Sequence, residues 1–178
     1  MKKNLLRITI ILLSIGMINS CIGPQGEPGR DGLDGSNTIG ETLEISANFL
    51  EQYNYTERIT LSPAIYDGDA IFVYWRSSEN PNVWRPLPYT VYFEDGNELD
   101  YMFDYTLNDV QIYLGFTHAS PPVDYSSNQI FRIVIIPSQL IQSTTGLNKD
   151  SLKYMEYNEL INTLKNNNVN FTERTIVE

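Results

Sequence analysis

YTVYFEDGNELDYMFDYTLNDVQIYLGF, residues 89–116, decides the fold class. Leu99, Tyr101, Phe103 and Tyr105 alternate with more polar residues, and Val110, Ile112, Leu114 and Phe116 repeat the pattern. A period of two places each set on one face of an extended strand. Between Tyr89–Phe93 and the first of these strands stands Glu94-Asp95-Gly96-Asn97, a turn signal that reads as a β-hairpin.

The same texture extends in both directions. Leu43, Ile45, Ala47 and Phe49 alternate, Ile59-Thr60-Leu61 is a short strand stopped by Pro63, and Asp67-Gly68 turns into Ala70–Trp75. That last run is almost continuously apolar, as expected of a central strand covered on both faces. Val83-Trp84 follows a loop at Asn80-Pro81-Asn82, and Ile130–Ile136 is a final buried strand ended by Pro137. Short strands separated by turns predict a mainly β fold, an antiparallel β-sandwich of about seven or eight strands. Asp150 or Ser151 caps one C-terminal helix whose apolar stripe is Tyr154, Tyr157, Leu160, Ile161 and Leu164, with Asn166-Asn167-Asn168 ending it. The tail from Val169 is expected to add an edge strand or fray. Residues 41–178 suffice for one core and leave little room for a second.

The N-terminal 40 residues are of another kind. Lys2, Lys3 and Arg7 precede an apolar run from Ile8 to Ile18, a secretory signal over residues 1–20 and too short for the ~20 residues of a spanning helix. Ile18-Asn19-Ser20-Cys21 resembles the lipobox of bacterial lipoproteins, which implies that the Cys21 thiol is diacylated and heads the mature chain. Cys21 is the only cysteine, so no intrachain disulfide is possible. Residues 21–40 then form a spacer with glycine at every third position, Gly23, Gly26, Gly29, Gly32 and Gly35. A collagen triple helix demands this spacing because only hydrogen fits at its axis. Four triplets with Pro24 and Pro28 favour a single extended stalk of roughly 40 Å at ~3.1 Å per residue, with a trimer as the alternative.

Charge narrows the partners. Three of the 12 basic residues and none of the 22 acids precede Cys21, leaving nine against 22, a formal −13. Such a surface repels phosphate backbones and anionic headgroups, arguing against nucleic acid and against membrane binding by the domain itself.

The chemical candidates are few. The chain has one histidine, His118, in an apparent loop, with no Gly-x-Ser-x-Gly and no cysteine to spare beyond Cys21, so nucleophilic catalysis and zinc binding lack their parts. No cofactor is expected, and the leading reading is non-enzymatic. Asp67, Asp69, Glu94 and Asp95 place carboxylates at turns, a weak calcium set. Two acids meeting in space would make a carboxylate-pair hydrolase. Trp84, followed by Arg85-Pro86-Leu87-Pro88, is the better candidate for an exposed glycan-stacking ring, whereas Trp75 belongs to the core.

A lipobox cysteine, collagen-type triplets and a small acidic β domain together resemble a family of collagen-like lipoproteins common in Bacteroidota. The resemblance rests on Cys21-Ile22-Gly23-Pro24-Gln25-Gly26-Glu27-Pro28-Gly29, and more loosely on Phe72–Trp75, Trp84–Pro88 and Ile130–Pro137. It implies a lipid-anchored protein of the cell envelope, in the outer membrane, without implying an activity, a leaflet or a named partner. Asp150-Ser151-Leu152 is similar to that phylum's O-glycosylation acceptor, with Ser151 the modified residue.

Overall fold

A computed structural model describes residues 39–143 and 148–176. The signal sequence, Cys21 and the stalk glycines therefore lie outside the described residues. Nine strands form two sheets, β1 (Gly40–Ala47), β2 (Thr56–Thr60), β3 (Ala70–Arg76), β4 (Trp84–Pro86), β5 (Tyr89–Tyr92), β6 (Glu98–Tyr105), β7 (Asp109–Phe116), β8 (Gln129–Ile136) and β9 (Phe171–Ile176). The larger sheet has the order β4-β3-β8-β1-β9 and the smaller β2-β7-β6-β5. Four helices accompany them, α1 (Val123–Ser126), α2 (Ser138–Ser143), α3 (Lys149–Leu152) and α4 (Tyr157–Asn166).

The strand periodicity explains the layering. Ile71, Val73 and Trp75 of β3 with Phe131, Ile133 and Ile135 of β8 share a core with Leu99 and Tyr101 of β6 and Val110, Ile112 and Leu114 of β7. The intervening residues, Ala70, Phe72 and Tyr74 with Val134 and Ile136, join a second core formed with Leu152, Leu160, Ile161 and Leu164, against the expectation of one core, because the larger sheet is apolar on both faces. The larger sheet thus buries one face against the smaller sheet and the other against helices, which is why β3 and β8 carry unbroken apolar runs. The hairpin turn also falls where expected: Gly96 has φ +85°, and its N–H donates to the Phe93 carbonyl at 3.0 Å.

Three expectations need correction. Among the described residues the strands number nine, and the larger sheet is mixed, because the tail supplies the expected edge strand, β9, in parallel with β1. Gly40, counted with the spacer, opens β1, and the Phe171 ring packs so closely on it that an added Cβ would lie 2.3 Å from a ring carbon.

The single C-terminal helix is in fact two. Leu152 and Tyr157 are both buried, yet five residues of continuous helix would turn them about 140° apart. A break solves this: the Tyr74 hydroxyl donates to the Met155 carbonyl at 3.1 Å, α4 restarts at Tyr157, and Tyr154 falls in the gap, 79% exposed. Asn148, not Asp150 or Ser151, caps α3, its side chain accepting from the Ser151 N–H at 2.7 Å.

Burial, more than nearby charge, raises the pKa values of Tyr74 and Tyr101, and it raises that of Tyr157 against the pull of Arg132. A folded pKa above the unfolded ~10 favours the neutral phenol in the native state. Stability is therefore expected to hold below pH ~10 and to fall as pH rises past it, because the unfolded chain ionises first. Urea midpoints at pH 8 and pH 10.5 check this. Tyr101→Phe should flatten the alkaline decline, and an unchanged slope would contradict it.

Candidate functional site

Among the described residues the best-formed concavity is a groove of about 510 Å³ that touches all of residues 70–74. Successive residues of a strand point to opposite faces, so a cavity meeting five in a row must run along the strand's edge. That edge is open because β4 is short. It covers β3 only from Tyr74 to Arg76, opposite Pro86, Arg85 and Trp84. Pro86 lacks an N–H, and Pro88 follows two residues later as the chain leaves for β5 in the other sheet.

The remaining walls come from separate elements. Residues 103–105 at the end of β6 form one side, where the Phe103 and Tyr105 rings stack with centroids 6.5 Å apart. Lys149 and Asp150 of α3, with Lys153 just beyond it, form the other, and residues 86–88 close one end. Along the floor, the Val73 carbonyl accepts from the Leu87 N–H at 2.9 Å. The Asp69 carbonyl accepts from Lys149 Nζ at 2.9 Å. Neither groove lysine lies within ion-pair range of a carboxylate among the described residues, whereas Arg58, Arg85, Arg132 and Arg174 all do. Asp104 and Asp150 stand on opposite walls, both exposed.

The residues singled out in the sequence lie elsewhere. Trp84 is buried, not exposed: the Arg132 guanidinium lies 4.1 Å from its ring centre and 4.6 Å from that of Tyr157. Arg132 also donates to its cross-strand partner Glu44 at 2.9 Å. The ring is thus covered by a cation and by α4, and no face remains for a sugar. Trp75 is core, as expected, 3% exposed with its indole N–H donating to Gln129 at 2.9 Å.

The four turn acids are not brought together. Asp69 is buried, and its carboxylate accepts from the Tyr66 and Ser138 N–H groups at 3.0 and 2.9 Å, tying the turn before β3 to the start of α2. Asp67 and Glu94 are exposed. The Asn97 backbone N–H, then its side-chain amide, hold Asp95's carboxyl below the usual range. Among the described residues no three of His, Cys, Asp and Glu gather where they could hold a metal ion. Ser151 is exposed, with its hydroxyl donating to the Asn148 carbonyl at 2.9 Å inside the α3 cap. His118 lies 3.8 Å from Asp95 at Nε2, while its Nδ1 is buried without a partner.

The groove escaped the sequence reading. Its one legible trace is the pair of prolines around Leu87, which shortens the partner of a long central strand. Comparison with protein-family models, curated proteins and solved structures yields no match. No helix among the described residues is long and apolar enough to cross a membrane.

Proposed function

We propose that this is a lipid-anchored, non-enzymatic protein of the bacterial cell envelope, held in the outer membrane through Cys21. On this reading it presents an antiparallel β-sandwich, with helices on its outer face, as an interaction module on a short and monomeric collagen-like stalk. Support for the anchor is the cysteine placed directly after the signal sequence. Support for a sandwich is the core shared by the inner faces of the two sheets. Against catalysis stands the one histidine, which has no hydrogen-bonded carboxylate or hydroxyl to orient it among the described residues.

The observation that carries the interaction reading is the groove along the free edge of β3. An open edge is a liability unless something covers it. A photoreactive amino acid at Asp104, in the anchored protein in intact envelopes, is expected to cross-link one discrete envelope partner. The same group at Tyr53, exposed and outside the groove, should not. Identical cross-linking from both positions, or none from Asp104, would sink the interaction reading.

A further inference from the structure

Two carbonyls of the β3 edge are already held, and they bracket a gap. Val73 accepts from Leu87, and Asp69 accepts from Lys149. Residues two apart in a strand direct their backbone groups to the same side. The N–H and C=O of Ile71, midway between those carbonyls, therefore also face the groove, and no partner strand lies opposite them among the described residues. Buried backbone groups of this kind are almost always paired. The gap spans about four residues, roughly 13 Å of extended chain.

We infer that the groove takes an extended segment of a partner polypeptide, which adds a short strand to the edge of β3 by pairing with Ile71. This deepens the interaction reading above and rests on it. Backbone pairing would supply the register, and the two walls would select alternate side chains. One wall presents Leu87, Phe103 and Tyr105, with Asp104 between the two rings, and suits apolar residues along the rings. The opposite wall presents Lys149 and Lys153, cations that no carboxylate neutralises within ion-pair range among the described residues, in a protein otherwise strongly acidic. Asp150 beside them and Asp104 on the opposite wall balance the two ammonium groups over the groove as a whole, so the preference for acids is local to the lysine wall. The occupant is thus a segment in which acidic and apolar residues alternate, its acids meeting the lysines in charge-assisted contacts.

The test uses the mature full-length chain in detergent micelles and a set of acetylated hexapeptide amides in which Glu alternates with Val, Ile, Leu, Phe or Tyr. Affinity is read by fluorescence anisotropy and backbone protection by hydrogen exchange resolved to residues 70–73. The best members are expected to bind and to slow exchange at Ile71 at least tenfold. Methylating the peptide nitrogen that pairs with Ile71 should weaken binding at least tenfold. Lys149→Glu with Lys153→Glu should do the same, and peptides with Lys in place of Glu should recover binding to that variant. If no member slows exchange at Ile71, or the methylated peptide binds equally well, strand addition is overturned, while cross-linking from Asp104 would still stand for the broader reading. Protection without peptide that rises with protein concentration would assign the groove to a second copy. Concentration-independent protection without peptide would assign it to the protein's own stalk. Either result overturns the partner assignment.

Discussion

Cys21→Ser should move the protein from the membrane fraction to the soluble fraction, or leave it uncleaved with its signal attached. The expected change is near complete. Each buried CH₂ contributes ~0.8 kcal/mol to membrane partitioning, so the two chains of a diacylated cysteine hold firmly where one chain holds marginally. The domain offers no substitute. Its eight basic residues against 19 acids over residues 41–178 give it no attraction to an anionic surface, and no described helix could span the bilayer. Fractionation with carbonate washing, together with the mass of the N-terminal peptide, provides the measurement. A correctly cleaved Cys21→Ser protein that stayed with the membrane would remove the lipoprotein reading, because the sequence contains no second cysteine to acylate.

The second large effect is expected at Gln129, the first residue of β8. Its side-chain carbonyl accepts from the Trp75 indole N–H at 2.9 Å, and its amide donates to the Asp124 and Ser127 carbonyls at 2.9 and 2.7 Å. Tyr101 completes the site by donating its hydroxyl to the Tyr125 carbonyl at 2.5 Å. One buried amide therefore joins β3, β8 and the α1 turn where the Trp75 and Tyr101 rings meet at 4.9 Å. Gln129→Leu keeps the volume but strands an indole N–H and two carbonyls. With each buried unpaired group costing roughly 1–3 kcal/mol and the turn free to relax partly, the total is about 3–5 kcal/mol. That corresponds to a fall in melting temperature on the order of 10 °C for a domain of this size. Trp75→Phe removes the stranded donor, so the double substitution should cost less than the sum of the singles. A loss under about 1 kcal/mol, or strict additivity, would show that the network is dispensable.

The proposed envelope address rests on local pattern alone, which is read directly along the chain. A basic start, an apolar run, one cysteine and glycine at every third position are read in order along the chain. The β class was legible in local pattern, since Leu99–Tyr105 and Val110–Phe116 display their buried and exposed faces by alternation alone. Even the burial of β3 on both faces shows in its unbroken apolar run.

What the sequence left open involves partners distant along the chain. Trp84 looked free because nothing near it in sequence covers it. Its cover comes from Arg132 and Tyr157, which only the sheet order and the seating of α4 bring to it. The helix break at Tyr154 follows from Tyr74, 81 positions from the carbonyl it holds. The parallel direction of β9 depends on where α4 releases the chain beside β1, which an isolated hexamer cannot encode. Gln129 is a lone amide in the sequence and a junction only when β3, β6 and α1 converge on it. The groove is the strongest case. Its floor, walls and end come from β3, β6, α3 and the Pro86–Pro88 turn, and its opening is a strand edge that goes unpaired because β4 stops early. The β class thus belongs to the sequence, and the proposed anchor and stalk rest on it alone, because all three are read from patterns over a few residues. The site belongs to the tertiary structure, because strand edges and cavities exist only once non-local elements have packed.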